Sequence, residues 1–142
     1  MEQKNREVAE KLRQLLNASS ELIEAYTRKV CPDCRDICCK QKHGALDPID
    51  MLYLSALGTA LPPFDPAIPP EAPCQCLGAA GCVRPRWLRP WKCTWYFCEP
   101  LLKVLKAGPR KKTGGLTALI NEILFLRNEL QECKISKSSG QR

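Results

Sequence analysis

The sequence predicts a mainly α protein, a small cysteine-rich metal-binding domain with long N- and C-terminal helices packed together. Three observations carry that prediction. An apolar stripe at helical spacing runs through each end of the chain, cysteines crowd the middle, and no convincing strand pattern stands between them. At 142 residues the chain is one domain's worth, so 1–142 reads as a single domain with a modest core.

The first element is a helix over 3–29. Val8, Leu12, Leu15, Ser19, Leu22 and Tyr26 recur at a 4-3-4-3-4 spacing, and Leu16 and Ile23 widen the stripe. It runs into Cys31-Pro32, where the residue before proline is pushed out of helical geometry. In "ALDPIDMLYLSALG", Asp47 suits an N-cap, Pro48 the first helical position and Asp50 the first turn, with an end near Gly58. Residues 61–73, LPPFDPAIPPEAP, hold six prolines and predict a stiff, extended connector.

"CEPLLKVLKAG" predicts a short helix with proline in its first turn, lysines toward its end and Gly108 as C-cap. "GPRKKTGG", 108–115, reads as a basic loop; it lacks the Walker spacing that would make a phosphate cradle of it. Leu116, Leu119, Ile123, Leu126 and Leu130 then mark a C-terminal helix over 116–133, followed by a frayed tail. Both stripes read first as core packing. A protein partner or a homodimer through these leucine seams is the sharper alternative.

Ten cysteines are about 7% of the residues, just under the density of a secreted disulfide scaffold. The N-terminus is charged from its second residue, unlike a signal peptide, and no apolar run reaches the length of a membrane span. A cytoplasmic location follows as the expectation, and there clustered thiols stay reduced and favour metal over disulfides.

The net charge of +7 is uneven: residues 84–112 hold nine basic side chains against Glu99 alone, while residues 1–83 are net −2. Within that basic stretch, "RPRWLRPWKCTWYFC" interleaves Trp87, Trp91, Trp95, Tyr96 and Phe97 with Arg84, Arg86, Arg89 and Lys92. Such mixing serves single-stranded nucleic acid by stacking and phosphate neutralisation. It equally serves a metal site, with tryptophans excluding water and arginines offsetting anionic thiolates, and this second reading is favoured. A divalent ion on four thiolates carries about −2, so two such sites would lower the net charge to roughly +3.

The thiols fall in two groups: Cys31-x2-Cys34-x3-Cys38-Cys39, then Cys74-x-Cys76-x5-Cys82-x10-Cys93-x4-Cys98, with Cys133 far away. Each resembles a half-built tetrathiolate site, a short chelating loop with further ligands downstream. The adjacent side chains of Cys38 and Cys39 point apart, so the pair serves different ions or includes a spare. With His43 the sole histidine, sulfur dominates the donor set, which selects zinc, iron–sulfur clusters or Cu(I) over magnesium or calcium. Asp50 is explained as a helix-start carboxylate and His43 as a loop residue; Cys133 reads as a small apolar residue or a stray thiol.

"CPDCRDICC" matches the C-x2-C-x3-C-C signature of the YkgJ family, the CxxCxxxCC zinc- or iron-chelating domain. Three further blocks resemble that family in the same order: "LDPIDMLYL" with Asp50 at its acidic position, "CLGAAGCV" with Cys76 and Cys82, and "RPWKC" with Arg89, Pro90 and Cys93. The resemblance covers about residues 31–98, with Cys74 outside its pattern. It implies metal binding, zinc or iron. Some relatives resemble flagellin lysine N-methylases, whose motif is associated with an iron–sulfur cluster, but this chain has no glycine-rich strand–turn–helix for S-adenosylmethionine.

The expectation is therefore a thiolate metal-binding protein, zinc or iron–sulfur cluster, acting as an iron–sulfur redox or accessory component. Its metal ligands are drawn from Cys31, Cys34, Cys38, Cys39, Cys76, Cys82, Cys93 and Cys98, with Asp50 and Arg89 in the surrounding shell. The alternative is a zinc-stabilised structural module whose segment 84–97 binds a protein or nucleic-acid partner. No motif settles whether it is an enzyme: there is no nucleophile elbow and no H-E-x-x-H.

Overall fold

The computed structural model describes residues 2–30, 39–78, 81–95, 99–108 and 110–140. It is mainly helical: α1 (Glu2–Val30), α2 (Pro48–Leu57), α3 (Lys92–Trp95), α4 (Glu99–Ala107) and α5 (Arg110–Gly140). The two long terminal helices pack on each other, and α2 packs on both.

Buried Val8, Ala9, Leu12 and Leu16 of α1 meet Tyr53 and Leu54 of α2 and Ile123, Leu126 and Leu130 of α5. A second cluster joins Ile23 near the other end of α1 to Leu101 and Leu105 of α4 and Leu116 of α5. The early part of α1 thus meets the late part of α5 and the reverse, so the two run antiparallel. Along α1 the buried line passes through Leu16 and Ile23, with Leu15, Leu22 and Tyr26 on its flank. A straight helix turns 3.6 residues at a time and drifts off a strict heptad seam in this way. Ser19, fully buried in the line, bonds its hydroxyl to the Leu16 carbonyl at 2.8 Å and so leaves no polar atom unsatisfied. Both leucine stripes are thereby taken up within one chain. A homodimer built on them would have to unpack this core.

α2 begins and ends where its sequence predicts. The Asp50 amide donates to Asp47 Oδ1 at 2.6 Å and the Asp47 amide to Asp50 Oδ2 at 3.0 Å, a reciprocal capping box with Pro48 at the first position. Gly58 closes the helix at φ +73°, the left-handed conformation glycine adopts without steric cost.

Three expectations are corrected. Residues 110–115, expected within a basic loop, are the first turns of α5, Gly114 and Gly115 included. The physical reason is Leu116: only a helix already under way here presents it to Ile23, Leu101 and Leu105. The same helix runs on to Gly140, past the expected end near Cys133. A short antiparallel hairpin, β1 (Leu77–Gly78) with β2 (Gly81–Cys82), stands where no strand was expected. Two-residue strands are too short to write a period of two into a sequence.

The proline segment is neither helix nor strand, as expected, yet it is more than a connector. It folds back over a single 3₁₀ turn, Gln41–His43: Gln41 N donates to Ala72 O at 2.8 Å and Lys42 N to Pro70 O at 3.0 Å, and Lys40 bridges Pro73. Gln41 is buried and ties the same two segments with its side chain, donating to Asp65 O at 3.0 Å and accepting from Gln75 N at 3.2 Å. No helix among the described residues is long and apolar enough to cross a membrane.

Candidate metal centre

The strap formed by 61–75 brings Cys74 to Cys39, the Cys74 amide donating to the Cys39 carbonyl at 2.8 Å. A turn follows at once, with Leu77 N donating to Cys74 O at 2.9 Å. The hairpin then returns the chain, pairing Leu77 with Cys82, and Val83 N donates to Cys76 O at 2.8 Å. Cys93 comes from the start of α3, after Pro90, whose carbonyl accepts the Cys93 amide at 2.9 Å.

Cys74, Cys76, Cys82 and Cys93 are all free of disulfides. Cys74 and Cys76 share a hydrogen bond, and Cys74 and Cys82 lie near enough to Cys76 and to Cys93 to raise their pKa values by charge alone. Burial is the larger cause at both: it pushes Cys76 up, and Cys93 up to about 11. Among the described residues, no three His, Cys, Asp or Glu side chains converge on one point as the ligands of an ion do. Binding a metal would require these thiols to move together and give up their protons.

What surrounds them is cationic and buried. Arg86 is 5% exposed and donates to Cys93 O at 2.9 Å. Arg84 is 9% exposed and donates to Pro63 O at 2.9 Å. Arg89 donates from Nε to Arg84 O at 2.8 Å. Arg86 and Arg89 share one carboxylate, Glu24 of α1, at 3.9 and 3.4 Å. Desolvation pulls Arg86 down to about 10, and the neighbouring Arg89 adds to this against Glu24, Cys93 and Cys82. Its Nε is buried with no hydrogen-bond partner among the described residues. Three arginines thus line the segment that carries Cys82 and Cys93.

Of the expected ligands, Cys76, Cys82 and Cys93 stand in these segments, and Cys39 is joined to Cys74 through its carbonyl. Cys31, Cys34, Cys38 and Cys98 lie outside the described residues. Arg89 stands near Cys93, its charge pulling that thiol down. Asp50 is turned instead into the helical frame: it accepts Arg127 Nη1 at 2.7 Å and the Trp91 amide at 3.2 Å besides its capping bond. Burial holds the Asp50 carboxyl above its ordinary value, against the opposing pull of the Asp47 amide and Arg127. Cys133 is on α5, distant in sequence from both groups.

Two participants escaped sequence reasoning. Cys74 heads the second thiol group in sequence but lies outside the family pattern and was left out of the ligand set, although its two-residue distance from Cys76 was a signal. Arg127 binds both Asp47 and Asp50 and lies 5.2 Å from the Trp91 ring centroid; one arginine on an apolar helix face was the only trace of it. Comparison with protein-family models, with curated proteins and with solved structures finds no match.

Proposed function

We propose that this protein binds metal through cysteine thiolates, as a zinc or iron–sulfur centre, and works in the cytoplasm as an iron–sulfur redox or accessory component. The observation that supports this is a charge balance. Arg84, Arg86 and Arg89 against Glu24 leave +2 beside the four thiols. Burying uncompensated charge is costly, and a divalent ion on four thiolates carries about −2. The resemblance at "CPDCRDICC" points the same way from the sequence.

The alternative, a zinc-stabilised module docking a protein or nucleic acid through 84–97, is less well served. Arg84 and Arg86 face inward, Trp87 and Trp91 pack against the helical core, and Trp95 is the exposed aromatic of the described stretch. A phosphate backbone needs its guanidiniums at the surface.

Elemental analysis and a visible spectrum on protein purified without oxygen test the proposal. Iron with acid-labile sulfide and a brown colour would support a redox centre, whose potential the surrounding donors and burial would tune. Stoichiometric zinc without colour would make the metal structural and redox-silent. Folded protein that carries neither, and takes up neither on reconstitution, would sink the reading.

A further inference from the structure

We infer that the outward face of α5 is the contact surface for a second copy of this chain, the two helices packing antiparallel about Asn121. The leucine stripes stay in the core, and this face lies on the opposite side of the helix. Gly114, Ala118, Asn121, Phe125 and Asn128 follow one another at a 4-3-4-3 spacing, and all five are exposed. From Gly114 to Asn128 the helix carries only Glu122 and Arg127 as charges, and Arg127 is buried against Asp47 and Asp50. A helix face meant for water carries more charge than one carboxylate. This one instead leaves Phe125 63% and Leu124 44% exposed.

The face is complementary to itself in size. Its first half is hollow: Gly114, Thr117, Ala118 and Asn121 form one wall of a groove of about 460 Å³ beside α4. A Cβ at Gly114 would meet nothing within 4 Å, so no contact within the chain requires a glycine there. Glycine weakens a helix interior, and close approach by another backbone is the use it serves. Alanine there would strengthen the lone helix and crowd the contact. The second half of the face is raised by Leu124 and Phe125. Turning a second copy end for end about Asn121 sets Phe125 opposite Thr117 and Leu124 opposite Ala118, and the ring fills the groove. Each copy gives one ring and one groove, as a two-fold contact demands. At the centre Asn121 meets its own copy, and an amide that donates and accepts at once fixes register there.

Charge selects the antiparallel direction. Lys106 stands on the α4 side of the groove, and α5 opens with Arg110, Lys111 and Lys112 in sequence. Glu122 and Glu129 flank Phe125 by three and four residues, so the ring that enters the groove brings carboxylates toward Lys106 and the basic start of the helix. A parallel pair would set the two basic starts side by side. One helix face is a small interface, so the dimer is weak and reversible.

Sedimentation velocity on the reduced full chain, over about a hundredfold range of concentration reaching roughly 1 mM, tests this. Wild type should pass from monomer to dimer. Phe125→Ala should raise the dissociation constant about tenfold or more, and Ala118→Gln, which fills the groove, should do the same. Both positions are exposed, so circular dichroism of dilute protein should show each variant folded like wild type. An equal mixture of the two variants keeps one ring facing one open groove and should associate more tightly than either variant alone. Wild type that stays monomeric throughout would overturn the inference, as would Phe125→Ala dimerising as tightly as wild type. A mixture no tighter than its separate parts would overturn the two-fold arrangement.

Discussion

The frame made by α1, α2 and α5 is closed by apolar side chains, whereas the cysteine-bearing segments, 39–46 and 61–95, are closed by carbonyls, amides and guanidiniums. In the frame the largest fully buried side chains are Leu12, Leu54, Ile123 and Leu130, with Ser19 satisfied by its own helix. In the cysteine segments the buried residues include Gln41, Cys76, Arg84, Arg86 and Thr94. Apolar burial of a leucine contributes about 2 kcal/mol with little demand on geometry. A net hydrogen bond contributes about 1 kcal/mol and fails abruptly when its partner moves. The frame can thus fold on hydrophobic pattern alone. The cysteine segments have less of that to draw on and rest more on polar contacts.

Several contacts join the two regions, Arg86 and Arg89 to Glu24 of α1 among them, and removal of Arg127 has the largest expected effect. Arg127 of α5 binds Asp50 at 2.7 Å and Asp47 at 3.0 Å, and the same Asp50 accepts the Trp91 amide from the cysteine side. Arg127→Met would leave the buried Asp50 carboxylate unpaired. A loss of about 3–5 kcal/mol in urea unfolding is expected. A loss under about 1 kcal/mol would mean that the frame does not depend on this joint, and that the two regions are more separate than their contacts suggest.

How much of this was legible in the sequence divides along the same line. The frame was readable because helical periodicity and caps are local: the stripes on α1 and α5, the Asp47–Pro48–Asp50 start and the Gly58 stop all stand where their residues imply. The cysteine region was readable in composition but not in arrangement. Its contacts span long separations, as when Cys74 meets Cys39 or Arg86 meets Glu24, and no periodicity encodes them. The arginines of 84–89 read either as partners of the thiolates, the favoured reading, or as a surface for nucleic acid, and the fold shows Arg84 and Arg86 buried. The glycines of α5 misled in the opposite sense, since tertiary packing of Leu116 overrides their local preference.

A smaller break tests the polar half alone. Gln41→Ala removes the side chain that joins the 3₁₀ turn to Asp65 and Gln75. It removes two hydrogen bonds, while Asp65 O keeps Gln75 Nε2 at 3.1 Å, so a loss of about 1–2 kcal/mol is expected. That loss should be accompanied by faster amide hydrogen exchange at 70–75 and unchanged exchange in α1. Exchange rising equally in both would deny that the regions are held differently.

Gly114 and Gly115 sharpen the comparison from the helical side. Both are exposed, both are helical, and a Cβ at either would meet nothing within 4 Å. Alanine at each should stabilise the protein by about 0.5–1 kcal/mol through propensity and reduced freedom of the unfolded chain. A destabilisation on thermal melting would return this stretch to the loop that its sequence suggests.

The smallest expected effect is at the rim of the strap, where Glu71 binds Lys42 at 2.8 Å and Lys40 at 3.3 Å. Hydrogen bonds from Lys42 and Lys40 hold its carboxyl below the ordinary 4.5. A depressed folded value means that its contribution is present in full above 4.5 and fades as pH falls through the lower folded value. Wild type and Glu71→Gln should therefore differ slightly at neutral pH and converge in acid. Added salt should shrink the neutral-pH difference, because both partners face water. If the difference instead persists in acid, the role of Glu71 is not ionic. The strap would then be held by backbone bonds such as Lys42 N to Pro70 O and by the Gln41 and Arg84 side chains, and would owe nothing to this surface ion pair.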